Sequence, residues 1–374
     1  MNYISFKKRI AEIGLLAVAG TVLLGGCTKR FEEYNTNPYG ISNQDLDADY
    51  KLLGQPLIQV QQSIYVAQPA WDTQLQQNLI GDNYSGYFGS PTPFLGNQNN
   101  MTYALVDGWN GQPWADAYND VMAPVQAVLK NAGTQYPTFY AWAKILRVEA
   151  MHRLSDIFGP IIYTHYGQVN ADGSITYDSQ KDAYYAFFAD LDSAIAVLTP
   201  LAQSNAPQTF TNFDQVYGGS YTEWVRFANS LKLRLAIRIS LIDPTKAQAE
   251  GESALANPIG LMTTPADNCN VNIGTFTHPI NVMNNSWGDC RFGAPLASYL
   301  TGYNDPRTPK YAVPATDPNV LGKVIGVRNG IDIDAKGRYE GYSQPVTFPN
   351  YSAANGAANF VQLMTAGEAF FLKA

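Results

Sequence analysis

The residues that could do chemistry in this 374-residue sequence are few in kind. Three cysteines, three histidines and no Cys-x-x-Cys pair argue against a structural zinc site. Glu149 and His152 form a Glu-x-x-His on a predicted helix. A carboxylate-bridged di-iron centre needs that motif twice with two further glutamates, so a surface i,i+3 pair is the expected reading. Asp332, Asp334 and Gly337 partly match a calcium loop, but Lys336 occupies a ligand position and Ser343 stands where a bidentate glutamate is required, so a turn is expected. Asp305 and Arg307 are spaced for an ion pair that fixes a turn after Tyr303. The sequence has no Gly-x-Ser-x-Gly, phosphate loop, Gly-x-Gly-x-x-Gly or His-Glu-x-x-His. Nothing nominates a carboxylate pair for glycoside hydrolysis, whose separation of about 5 to 10 Å is a property of the fold.

A different chemistry is abundant. The chain carries 29 Asn and 21 Gln beside 24 Tyr, 17 Phe and 6 Trp, while charged residues make up 15%, against roughly 25% for an average soluble protein. A neutral sugar presents C–H patches and hydroxyls, so its site needs exposed rings for stacking and planar amides or carboxylates for paired hydrogen bonds. Residues 81–110 supply both: the rings Tyr84, Tyr87, Phe88 and Trp109, and the amides Asn83, Asn97, Asn99 and Asn100. A later stretch offers Asn284, Asn285, Trp287, Asp289 and Arg291. The candidates for ligand contact are Asn83, Tyr84, Tyr87, Phe88, Asn99, Trp109, Asn285, Trp287, Asp289 and Arg291. The competing role for each ring is to pack its own loop onto the helices. Trp114, Trp142 and Trp224 recur at helical spacing and are expected in the core.

The elements that must position these residues begin after a leader. Lys7, Lys8 and Arg9 precede a short, mostly apolar run from 10 to 26, the build of a secretory signal, and Leu24-Gly25-Gly26-Cys27 resembles a bacterial lipobox in which the Cys27 thiol takes a diacylglyceryl group. The expected organisation is a signal peptide over 1–26, a lipidated Cys27 with a polar tether over 27–41, and a helical domain from 42 to 374. Acyl chains contribute about 0.8 kcal/mol per buried methylene, so the protein is expected to be anchored rather than spanning. No later segment reads as long and apolar enough to cross a bilayer. The net charge of −7 and the lack of a basic run after the leader argue against nucleic acid. Cys269 and Cys290 can pair outside the cytoplasm, closing a loop worth roughly 3 kcal/mol, or remain separate thiols, and the sequence leaves both open.

Helical periodicity predicts a helix from Ser42 through Leu46, Leu53, Leu57 and Ile64 with a kink at Pro56, and another over about 69–79. Residues 81–110 lose all periodicity and read as a long loop. Helices resume over 113–129, 137–158, 179–198 and 222–239, with Gly159-Pro160 and Pro244 as stops and Ser179/Asp182 as a capping box. Two successive hairpins point to a tetratricopeptide-like array. Beyond 257 the texture is loop-rich, with a short helix near 293–301, strand-like alternation at 324–327 and 344–348, and a last helix over 360–374. That helix stops on Phe370-Phe371-Leu372-Lys373-Ala374 without a cap, so the chain is expected to lack a C-terminal part.

Five stretches resemble the SusD/RagB-like outer-membrane lipoproteins of the Bacteroidetes. They are Cys27-Thr28-Lys29-Arg30-Phe31-Glu32-Glu33-Tyr34-Asn35-Thr36-Asn37-Pro38, the helix end Leu154-Ser155-Asp156-Ile157-Phe158-Gly159-Pro160-Ile161, the run from Trp224-Val225-Arg226-Phe227 to Leu235-Ala236, Asn304-Asp305-Pro306-Arg307, and the closing Glu368-Ala369-Phe370-Phe371. The resemblance implies a mainly α fold, a tetratricopeptide-like helical-hairpin array with long loops and a few short β-strands, needing no cofactor. It also implies a protein that binds nutrients, most often oligosaccharides, without cleaving them, and caps a SusC-like TonB-dependent transporter at the cell exterior. The alternatives are an extracytoplasmic glycoside hydrolase, which needs two facing acids in an aromatic cleft, and a peptide- or protein-binding scaffold.

Overall fold

Apolar residues three and four apart give a helix one apolar stripe, and a stripe must be buried against a neighbour. The computed structural model describes residues 49–346 and 359–374. The expected leader, Cys27, the tether and the start of the first helix at Ser42 lie outside these residues, as does Phe348. Helices among the described residues include α1 (Lys51–Ile64), α2 (Ala70–Thr73), α3 (Gln112–Asp116), α4 (Ala123–Ala132), α5 (Pro137–Phe158), α6 (Gln180–Gln203), α7 (Tyr221–Ile239), α8 (Pro244–Ala256), α9 (Ala294–Gly302) and α10 (Ala366–Lys373), with shorter turns between them. A π-helical stretch, Gln74–Asp82, continues α2, and another, Ala117–Met122, joins α3 to α4. From α4 to α8 each helix packs against the next in chain order, and α10 packs on α7. This is the predicted hairpin array.

The core explains the order. Trp142 stacks on Phe210 with ring centroids 4.4 Å apart and meets Trp224 at 5.7 Å, so rings from α5, α7 and the α6–α7 connection lock together. Trp142 and Trp224 are fully buried, while Trp114 lies half-buried among Tyr118, Phe158 and Tyr177. Ser179 caps α6 by accepting the Asp182 amide at 3.1 Å. The cap of α7 is Ser220, which accepts from the Glu223 amide, so the helix starts one residue before the expected 222. Gly159 ends α5 with φ 78°, a conformation open to glycine.

Several expectations are corrected. Pro244 is not only a stop: Asp243 accepts the Lys246 amide at 3.0 Å and caps α8, for which proline in the first turn is well suited. The segment after 359 opens as a strand. Strands β1 (Phe88–Gly89), β2 (Cys269–Gly274), β3 (Arg291–Phe292), β4 (Ala312–Val313), β5 (Gln344–Pro345) and β6 (Asn359–Met364) form three two-stranded antiparallel sheets, β1–β3, β2–β6 and β4–β5. Val361 opposite Val271 buries both against Ala67 and Ile273, so period two wins over helical spacing until Thr365 caps α10. Residues 324–327 contribute a single bridge, Gly293 to Val327, in place of a strand. By length and composition α6 is apolar enough to cross a membrane, contrary to expectation. It lies between α5 and α7, with Phe187, Leu191, Ala194 and Leu198 fully buried.

The Glu149–His152 pair is buried rather than on the surface. Glu149 meets His152 at 3.3 Å and Arg234 of α7 at 3.2 Å, and Arg234 holds Glu368 of α10 at 2.7 Å. Cys269 and Cys290 are both free and buried. Asp305 and Arg307 make the expected pair at 2.6 Å, and Asp334 faces Arg338 at 3.2 Å on the surface beside a short helical turn.

Candidate functional site

The long loop over 83–106 is hung between two helical segments. It leaves the π-helical stretch at Asn83 and returns at the short turn Asp107–Asn110 ahead of α3. Its first anchor is backbone: β1 pairs Phe88 with Phe292 and Gly89 with Arg291, and the Gly293 amide donates to the Tyr87 carbonyl at 2.8 Å. The chains approach so closely that a Cβ on Gly293 would sit 2.2 Å from the Gly86 oxygen. The two regions singled out by sequence are therefore joined, and residues 325–327 add backbone bonds to Phe292, Ala294 and Ser343.

The second anchor is made of amides. Asn99 is fully buried and caps a helical turn by accepting from the Met101 amide at 2.9 Å, while its own Nδ2 donates to the Phe94 carbonyl at 2.7 Å. Asn100 donates to Asn110 at 2.8 Å and accepts from the Val106 amide at 3.0 Å. Asn97 makes two bonds to the backbone of Ile333, at 3.0 and 3.1 Å. These bonds hold Leu95, Asn97 and Tyr103 at φ 53°, 66° and 64°. Non-glycine residues avoid that region, and persist there only where the surroundings over-determine the backbone. The asparagines are spent inside the loop and do not reach the surface as ligand partners.

The fixed loop presents rings. Tyr84 and Tyr103 lie 47% and 66% exposed, their centroids 6.3 Å apart and their planes only 10° from parallel. Burial, then the neighbouring Tyr103 phenol, raises the pKa of the Tyr84 hydroxyl, so it stays neutral. Gly330 lies under Tyr103, and Asn329 donates from Nδ2 to the Asn83 carbonyl at 2.5 Å. Asn83 itself is 2% exposed, with its Nδ2 unpartnered. Tyr103 and Asn329 were missed by sequence reasoning. Tyr103 lies in the candidate loop and counts as a ring, but its left-handed conformation and its stacking on Tyr84 have no local signature.

The other candidates divide. Tyr87 is exposed and Phe88 half-buried, and both line a largely apolar cavity of about 1050 Å³ bounded by Tyr299, Tyr311, Arg307 and Gln362. Trp109 is half-buried, edge-on to Phe94 at 5.6 Å, so this ring packs its own loop. Asn285 is exposed and bonds Asn281. The Trp287 carbonyl accepts from Lys336 Nζ at 2.5 Å, and that ammonium also meets Asp289 at 2.9 Å. Arg291 is 3% exposed and donates to the carbonyls of Glu340 and Cys290, both at 2.7 Å, so it binds loops together below the surface.

Asp72 and Asp116 are two buried acids whose pKa values are raised, first of all by burial, Asp116 to about 7 with the charge of Asp72 as the next cause.

The architecture and sequence have known counterparts. The family model described as SusD-like, Susd and RagB outer membrane lipoprotein, matches residues 33–374. Among solved structures, a chitin-binding SusD homolog from Flavobacterium johnsoniae is 39% identical, with a TM-score of 0.79 over 86% of this chain and 64% of that one. A SusD homolog from Bacteroides vulgatus is 31% identical, with a TM-score of 0.78 over 89% of this chain and 66% of that one. Another from Bacteroides uniformis is 30% identical, with a TM-score of 0.73 over 86% and 65%. The chain thus spans just under two thirds of the length of these structures. No curated protein matches it. The helical-hairpin array, the ring-bearing loop and the match over residues 33–374 together place the chain in the SusD-like family of outer membrane lipoproteins.

Proposed function

We propose that this chain is the ligand-capturing part of a surface lipoprotein that binds oligosaccharide without cleaving it and delivers it to a SusC-like TonB-dependent transporter. One observation carries the binding role: two exposed, near-parallel tyrosine rings on a loop whose backbone is held in a disfavoured conformation by its own asparagines. Rings set in advance lose little freedom when a sugar face stacks on them, and preorganisation of this kind raises affinity without extra contacts. Asn329 lies beside the rings, with a buried side-chain oxygen that has no partner. The chitin-binding homolog makes N-acetylglucosamine oligomers the first ligands to try. Lipid on Cys27 holds the protein at the outer membrane in this reading.

The test is retention on insoluble chitin and calorimetry with soluble chito-oligosaccharides, comparing the wild type with a Tyr84→Ala/Tyr103→Ala double variant. Two stacked rings contribute about 1 to 3 kcal/mol together, so the double variant should bind roughly 5- to 150-fold more weakly. Unchanged retention with an intact fold would move the site elsewhere, Tyr87 and the apolar cavity it lines being next.

A further inference from the structure

The largely apolar cavity lined by Tyr87 carries a charge pattern that a neutral sugar would leave unmatched. Phe292 and Leu300, 2% and 3% exposed, lie at its base, packed with Ala297 and Ala312. The exposed rings of Tyr87, Tyr299 and Tyr311 stand around it. Its volume of about 1050 Å³ suits a drug-sized molecule. A sugar chain would set many hydroxyls against these apolar walls, and a polar group that loses water without gaining a partner is costly to bury.

The chain carries 31 acidic residues, yet none lines this cavity among the described residues, whereas Arg307 and Lys310 both do. His278 also lines it and is neutral, because burial lowers its pKa to about 4. Arg307 and Lys310 sit on one short helical turn, where the Lys310 amide donates to the Arg307 carbonyl at 2.8 Å. Two cations at that spacing repel each other. Asp305 neutralises Arg307 at 2.6 Å, and the guanidinium lies 5.8 Å from the centre of the Tyr311 ring. Lys310 has no counterpart to Asp305: among the described residues its ammonium makes no ion pair and no hydrogen bond. The cavity therefore offers apolar walls to a ligand's body and an unmatched cation to its charge.

We propose that this cavity is a separate binding site for an aromatic organic acid, whose rings lie among Tyr87, Tyr299 and Tyr311 and whose acid group meets Lys310 at the rim. An aromatic body fits better than a flexible acyl chain, because ring-on-ring contacts add to the gain from burial and a rigid body has less freedom to lose. The site is independent of the glycan role of Tyr84 and Tyr103.

The experiment is fluorescence titration of the folded chain with two dyes of the same ring system, the anion anilinonaphthalene sulfonate and the uncharged phenylnaphthylamine. The wild type should bind both, and its affinity for the sulfonate should fall as salt is raised. Lys310→Met should weaken the sulfonate roughly 3- to 10-fold and leave the amine unchanged, because methionine keeps the apolar stem and removes the charge. Tyr299→Ala should weaken both dyes. Both positions are exposed, so the fold should survive each change, and thermal midpoints check that it does. The Tyr84→Ala/Tyr103→Ala double variant should bind both dyes like the wild type, which separates failure of the acid site from failure of the glycan site. A wild type that does not bind the sulfonate, or a Lys310→Met variant that binds it as the wild type does or loses both dyes equally, would overturn the proposal. So would displacement of either dye by chito-oligosaccharide, which would make the cavity part of the glycan site.

Discussion

Replacing Arg234 with methionine should be among the most damaging single changes in this chain that leave its shape almost unaltered. Arg234 is 7% exposed and reaches three elements: Glu149 of α5 at 3.2 Å, Glu368 of α10 at 2.7 and 2.8 Å, and the Leu363 carbonyl of β6 at 3.2 Å. Methionine fills the space but leaves Glu149, 1% exposed, as a buried anion with its guanidinium gone. Removing one partner of a buried pair costs about 3 to 5 kcal/mol. At roughly 2 to 4 °C per kcal/mol for a domain of this class, the midpoint should fall by about 6 to 20 °C in calorimetry. Acid provides a second signature. Burial alone would raise the Glu149 pKa, but Arg234 and His152 hold it below the usual carboxylate range. Its contribution is therefore present above the ordinary carboxylate pKa of about 4.3 and is lost as pH falls. The gap between wild type and variant should narrow as pH falls toward and below about 4.3. A variant within about 1 kcal/mol of wild type at neutral pH, or a gap that does not narrow, would refute the reading of this network as the clamp on α10.

Gly293→Ala should destabilise by roughly 1 to 3 kcal/mol, because the added methyl meets backbone at 2.2 Å, and exchange should rise at Tyr87 and Phe292 before elsewhere. Trp142→Ala should cost about 3 to 5 kcal/mol in denaturant unfolding, since the ring is fully buried between Phe210 and Trp224. Cys269 and Cys290 should react with an alkylating reagent only after unfolding, and reductant should leave the midpoint unchanged, because both thiols are free, buried and raised in pKa by desolvation.

Helices with a regular apolar spacing announce themselves, and α4 to α7 could be read from spacing, the Ser179 cap and the Gly159 stop. Where the local signal fits two structures, the outcome rests on distant partners. Pro244 marks an end and a beginning equally well, and only the packing of α8 on α7 selects the beginning. The apolar run at 359–364 fits a helix until Val271 offers a strand to pair with. An i,i+3 pair such as Glu149 and His152 reads as surface decoration, and becomes a buried charge cluster because Arg234 arrives from another helix.

The candidate site divides in the same way. Composition located a loop rich in rings and amides, because a long aperiodic stretch with few charges can neither form a buried helix nor dissolve into solvent. Which of its groups face outward was decided by the fold. Asn97, Asn99 and Asn100 turned inward because backbone groups in an irregular loop must find partners, and short amides are the nearest available. Tyr84 and Tyr103 stand outward as a pair where the backbone at Tyr103 is left-handed, next to a long-range bond from the Gly330 amide to the Met101 carbonyl. Residue type settled what the loop can do, and long-range hydrogen bonds settled where it does it.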